Sequence, residues 1–190
     1  MTIGARSRRV RISRVIDTLL RGSAFLGRLR GLNPLRITDL NELGVPAATQ
    51  EFLRCCGSRR WAEQMAAARP FADVQSMVRT ADTIWGRLAP ADYLEAFAAH
   101  PRIGERTASA WSAAEQAGVT GDVRGRILEL NRAYEARFGY IFIICATGRS
   151  GAEMLGELER RLRNTPDQEL ATAAGEQRRI MRLRLDKLVS

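Results

Sequence analysis

The sequence predicts an all-α fold, a single compact multi-helix domain with one short buried extended segment near 140–146. Three observations predict it. Apolar residues recur at three- and four-residue steps along most of the chain. Capping residues bracket those stripes. At 190 residues the chain is long enough to bury one core without disulfide staples.

The elements follow in order. "LNPLRITDLNEL" (32–43) suits the start of a domain, and "ATQEFLRCCG" and "RRWAEQMAAA" read as two shorter helices that end before Arg69-Pro70-Phe71. Asp73 is a good N-cap for a stripe of Val74, Met77, Val78, Ala81, Ile84, Trp85 and Leu88. Pro90 suits the first residue of the next helix, with Leu94, Phe97 and Ala98 on its apolar side. That helix must stop near His100, because a residue preceding proline is pushed out of the α region. A later helix carries Ile127, Leu130, Tyr134 and Phe138, with Gly139 as its C-terminal cap. The apolar run Tyr140 to Ala146 is a buried extended connection, and the pattern leaves open whether it is a strand. Ser150 and Glu153 form a capping box ahead of Met154, Leu155, Leu158 and Leu162. Thr165, Pro166 and Gln168 open the last helix, with Leu170, Ala173, Ala174, Ile180, Met181, Leu185 and Leu188 on its stripe. Some seven or eight helices result.

Net charge is +9, which by itself suggests nucleic acid. Its distribution argues otherwise. Residues 1–33 hold eight arginines against Asp17 alone, leaving 22 basic and 20 acidic residues in the near-neutral body. The segment 1–33 is therefore expected to be a mobile basic extension, and 34–190 the helical domain. "SRRVRI" resembles a twin-arginine signal, but Arg14, Asp17 and Arg21 occupy the stretch where an apolar region should follow. A transit peptide or an anion-binding arm are the other readings of the extension. No apolar run approaches the about 20 residues of a membrane span.

Cys55, Cys56 and Cys145 are odd in number and two are adjacent, which is no disulfide framework and fits a reducing cytoplasm. One histidine and no C-x-x-C cannot assemble a zinc site. Phosphate-binding glycine loops and a G-x-S-x-G elbow are also missing, so the chemistry expected is free of metal, nucleotide and covalent serine.

That single histidine, His100, stands at a helix end, where unsatisfied carbonyls and the helix dipole favour the imidazolium. There it can serve as a proton donor or simply as a cap. Ser112, Glu115 and Gln116 stand at i, i+3 and i+4, on one side of a helix that starts there. S-x-x-E is also a capping box, but the residue that would complete its hydrophobic staple with Trp111 is the polar Gln116. Spacing alone leaves both readings open.

Five pieces in order, "RPF" (69–71), "HPRIG" (100–104), "SAAEQAG" (112–118), "LNRAYEARFGYIFIICATGRS" (130–150) and "LRLDKL" (183–188), are similar to the 2-oxo-4-hydroxy-4-carboxy-5-ureidoimidazoline (OHCU) decarboxylases. The similarity spans roughly residues 34–190 and excludes the basic extension. It implies an all-helical, usually homodimeric enzyme that makes (S)-allantoin and CO2 without a cofactor, completing urate breakdown. By that resemblance His100 is the catalytic acid/base and Glu115 assists it. Pro101, Ser112, Gln116, the stretch Phe142, Ile143, Ile144, Cys145 and Ala146, and Arg149 then fall at substrate-contacting positions. The competing reading is a non-catalytic helical interaction protein with an Arg-rich nucleic-acid-binding arm, which rests on the extension alone.

Overall fold

The computed structural model describes residues 34–104 and 121–189. Eight helices lie among them: α1 Ile37–Glu42, α2 Val45–Cys55, α3 Arg59–Ala67, α4 Val74–Trp85, α5 Pro90–Ala98, α6 Gly121–Phe138, α7 Gly151–Arg161 and α8 Pro166–Leu188. The helix expected to open at Ser112, and the extension 1–33, lie outside the described residues.

Three helices begin at the caps that the sequence predicts. Asp73 and Ser76 close a capping box on α4, Ser150 and Glu153 on α7, and Thr165 and Gln168 on α8. Each box satisfies two backbone donors that the first helical turn leaves without partners. Gly139 ends α6 at φ +80°, a conformation that carries no steric penalty for glycine, and its N–H bonds Glu135 O at 2.9 Å.

One boundary and one buried face differ from expectation. The helix α4 ends at Trp85 with Gly86 as its cap, so Leu88 packs against the core from outside the helix. The buried side of α5 carries Ala96 and Phe97, with Tyr93 partly buried, while Leu94 and Ala98 are exposed. Tyr93 fixes that rotation: its hydroxyl donates to Trp85 O at 3.0 Å and its ring lies 4.6 Å from that of Trp85.

The long helix α8 packs against α2, α4 and α5. Trp85 Nε1 donates to Ala174 O at 3.1 Å, and Arg182 Nε bonds Asp82 Oδ1 at 2.9 Å. At the far end, Leu35 N–H donates to Leu188 O at 2.7 Å, tying the start of the described chain to its finish. Arg69, from the "RPF" piece, donates to Leu40 O and Leu43 O at 2.8 and 2.6 Å and so caps the end of α1. Asn41 and Phe71 exchange two hydrogen bonds beside it.

Apolar side chains gather in two clusters. One lies among α1–α5 and α8; the other, between α6 and α7, holds Ile127, Tyr134, Met154 and Leu158. The extended run 141–146 separates them. Phe142, Ile144 and Ala146 pack into the second cluster, whereas Ile143 and Cys145 pack against the first. Alternation of side chains is what extended backbone imposes, and burial on both faces explains why the run is uniformly apolar. Among the described residues it pairs with no strand.

A buried ion pair crosses this region. Arg161 and Glu169 are fully buried, with Arg161 Nε 2.8 Å from Glu169 Oε1. Tyr134 donates its hydroxyl to the same carboxylate, and Asn164 Nδ2 donates to Glu169 Oε2 at 2.6 Å. Arg161 Nη1 donates to Ile143 O at 2.7 Å, and its guanidinium lies 4.7 Å from the Phe142 ring centre.

Replacing Arg161 by Met should therefore cost about 3–5 kcal/mol in equilibrium urea unfolding, since it strands a buried carboxylate and a buried carbonyl. Arg182→Ala, at a half-exposed pair, should cost about 0.2–1 kcal/mol. Glycines give a second contrast. A Cβ on Gly57 would sit 2.2 Å from Ala99 Cβ, so Gly57→Ala should cost about 1–3 kcal/mol. A Cβ on Gly156, in the middle of α7, meets nothing within 4 Å, so Gly156→Ala should add about 0.5–1 kcal/mol.

Candidate functional site

His100 stands just beyond α5, whose C-cap is Ala99. Its N–H bonds Phe97 O at 3.0 Å, closing the last turn before Pro101 interrupts the helix. The residue is partly buried and its Nε2 atom is shielded from solvent. Two contacts locate it. Gly57 lets the turn before α3 press on Ala99, and the Phe97 ring packs at a tilt against that of Tyr140, with ring centres 5.3 Å apart. The second joins the histidine's helix to the start of the extended run.

The residues after Pro101 are held from α6 by three side chains. Arg102 makes a two-pronged pair with Glu135, at 2.5 and 2.8 Å. Asn131 Nδ2 donates to Ile103 O at 3.0 Å, and Arg124 Nε donates to Gly104 O at 2.7 Å. The Arg102 guanidinium holds the Glu135 carboxyl below the usual carboxylate range. That stabilisation is complete above the unfolded value of about 4.3 and is lost as pH falls through the lower folded value. The clamp around His100-Pro101 is therefore fully charged at neutral pH.

The extended run shows a different division of labour. Phe142, Ile143, Ile144 and Ala146 have buried side chains, and Cys145 is partly buried. Three of the run's main-chain groups have hydrogen-bond partners, one of them Ala146 O, which accepts from Arg149 N–H at 3.0 Å. Ile143 O accepts from Arg161, and Cys145 N–H donates to Glu176 Oε2 at 2.9 Å. The turn "TGRS" then places Arg149 beside the same carboxylate, with Nη2 3.6 Å from Glu176 Oε1 and a third of the side chain exposed.

Cys55 and Cys56 are fully buried free thiols, and burial pushes their acidity down, Cys56 to a pKa of about 12. Neither is a thiolate nucleophile at neutral pH. Burial likewise pushes the Tyr140 phenol up to about 12, so it remains a neutral hydroxyl.

Of the residues predicted to form the site, His100 and Pro101 lie on one anchored turn, and Phe142 to Ala146 and Arg149 on one supported stretch. Ser112, Glu115 and Gln116 lie outside the described residues. Glu176, Arg161 and Glu169, the groups that hold the stretch in place, are not among the predicted site residues. A signal was available: all three fall at helical spacing on apolar stripes, at positions where a solvent-facing charge does not belong.

Comparison with known proteins bears on the same residues. The family model described as OHCU decarboxylase matches residues 41–186. The uric acid degradation bifunctional protein TTL of Arabidopsis thaliana is 40% identical over 160 residues, covering 78% of this chain and 49% of that one. The 2-oxo-4-hydroxy-4-carboxy-5-ureidoimidazoline decarboxylase of Mus musculus is 40% identical over 89 residues, covering 45% and 50%. The match thus spans about half the length of either relative. A crystal structure of OHCU decarboxylase in the presence of (S)-allantoin is 41% identical, with a TM-score of 0.67, covering 73% of this chain and 96% of that one. From the described helices, the pieces that surround His100 and the supported run 141–146, and a family match across nearly all of its body, the chain belongs to the OHCU decarboxylase family.

Proposed function

We propose that the chain is a cofactor-independent carboxy-lyase that converts 2-oxo-4-hydroxy-4-carboxy-5-ureidoimidazoline to (S)-allantoin and CO2. One observation carries the reading. In a chain of this family, the sole histidine sits on a clamped turn at a helix end, and its helix is joined through Phe97 and Tyr140 to a main-chain stretch kept out of any helix.

The chemistry needs little more than binding and one proton shuttle. As the C–C bond to the carboxylate breaks, its electron pair forms a double bond to the ureido-bearing carbon, and the ring C=N pair moves onto its nitrogen, which takes up a proton. The neighbouring hydroxyl then gives up its proton and becomes the carbonyl of the product, while a proton is delivered to one face of the ureido-bearing carbon. His100 is assigned that proton transfer, worth on the order of 10²–10⁴ in rate. Delivery from a fixed side chain to one face yields one enantiomer. Glu115 orients the imidazole or binds ring N–H groups, and Ser112 and Gln116 read the ureido amide. Pro101 fixes the backbone of the histidine. Main-chain groups of 142–146 bind the ring, and Arg149 suits the carboxylate.

In this reading residues 34–190 are the catalytic domain, 1–33 a basic extension, and the enzyme a cytoplasmic homodimer. Support for the cytoplasm is the odd set of free thiols; support for the dimer is the family resemblance. No helix among the described residues is long and apolar enough to cross a membrane.

Supplied with urate-oxidation product and the preceding hydrolase, the purified chain should speed the appearance of optically active allantoin, followed by circular dichroism at a fixed wavelength. A rate equal to the spontaneous, racemic background would defeat the proposal. His100→Asn should abolish the signal while the far-ultraviolet helical spectrum is retained. Glu115→Gln should lower the rate less than that, yet more than the loss of a helix cap, which affects stability by about 1 kcal/mol and not chemistry.

A further inference from the structure

We propose that Glu176 is a positioning residue for this reaction, one carboxylate that both fixes the main chain at Cys145 and aims the Arg149 guanidinium. The inference rests on the function proposed above. Glu176 stands in the middle of α8 and is 5% exposed. Its Oε2 accepts the Cys145 N–H at 2.9 Å, and its Oε1 lies 3.6 Å from Arg149 Nη2 and 2.5 Å from Arg179 Nη1.

A carboxylate this buried is costly unless paired, and its partners decide what it is for. Two of the three belong to the stretch where substrate contact is proposed, on either side of the turn at 147–148. Arg149 N–H also bonds Ala146 O at 3.0 Å, closing the turn that links the two partners. Arg179, 61% exposed and on the same helix, is the remaining partner. A purely structural carboxylate would be served by the buried N–H and the Arg179 guanidinium. The added approach to Arg149, a side chain one-third exposed, has no packing purpose that the buried surroundings require.

Arginine has several rotatable bonds, and an anion-binding guanidinium is most effective when one of its faces is already fixed. Glu176 supplies that fixed face. The proposed substrate carboxylate would meet a guanidinium that is restrained before binding, and the cost of ordering it would be met on folding rather than on association.

The test is a double-mutant cycle on the full chain in the stereospecific assay, with thermal melts alongside. Glu176→Gln keeps the shape and one oxygen that can accept from Cys145 N–H but removes the charge. It should raise KM about 10-fold with kcat changed less than about threefold. Arg149→Lys should raise KM to a similar extent, and the double variant should be little worse than either single one, because both remove the same restrained pair. Arg179→Ala should leave KM within about twofold of the unaltered chain. If Glu176→Gln lowers the melting temperature too far for assay, Glu176→Asp, which retains the charge but withdraws it by one methylene, should show the same selective rise in KM. Unchanged KM in the glutamine or aspartate variant, effects of Glu176 and Arg149 that simply multiply, or an Arg179→Ala effect equal to that of Glu176→Gln would each overturn the assignment. An unaltered chain with no turnover would sink both the function and this inference; turnover with an indifferent Glu176 variant would sink the inference alone.

Discussion

The buried pair of Arg161 and Glu169 is the constraint on which the rest of the described structure depends. Two charges at zero exposure are tolerated only when nearly every polar atom has a partner, and these two draw partners from three places. Tyr134 comes from α6, Asn164 from the turn before α8, and Ile143 O from the extended run. The network thereby fixes the relative placement of α6, α7 and α8 at a single point. It also resolves a difficulty set by the sequence. An apolar stretch with both faces buried must satisfy its backbone without a neighbouring strand, and Arg161 and Glu176 supply two of the partners a sheet would have supplied.

Much of the architecture was legible because helix ends carry local chemistry. Asp73, Ser150 and Thr165 cap where they stand, and Pro90 and Pro166 open the helices they were expected to open. The rotation of α5 was not legible. Leu94, Phe97 and Ala98 make an acceptable stripe, but so do Tyr93, Ala96 and Phe97, and the choice was made by a hydrogen bond and a ring contact to Trp85. Periodicity gives the helix; only tertiary contact gives its phase.

The site was legible in part, for a related reason. His100 and the run 140–146 announce themselves by being exceptions, the sole imidazole and the sole long apolar stretch outside a helical period. The groups that support them do not. Arg161, Glu169 and Glu176 are common residues on charged helices, and each can be read as a solvated side chain until the stripe is extended through it. Glu169, Ala173, Glu176, Ile180 and Arg184 follow one another at helical steps, and all five are buried. A charge within such a series is better read as a buried group that needs a partner than as a break in the pattern.

Side chains projecting from regular helices hold both non-helical stretches, chiefly by their backbone. Arg102, clasped by Glu135, together with Asn131 and Arg124, secures the turn that follows His100; Arg161 and Glu176 secure the run around Cys145. This arrangement suits the proposed decarboxylation. Helical backbone has its N–H and C=O groups engaged along the axis, so an all-helical protein that is to read a ring of amide-like groups with its main chain must interrupt its helices somewhere. An unsupported interruption would be a mobile loop, with its ordering cost charged to every substrate bound. Anchoring the interruption through buried guanidinium and carboxylate groups transfers that cost to folding. The expense of burying Arg161, Glu169 and Glu176 in the core is then intelligible as the means by which two stretches of irregular backbone are made rigid.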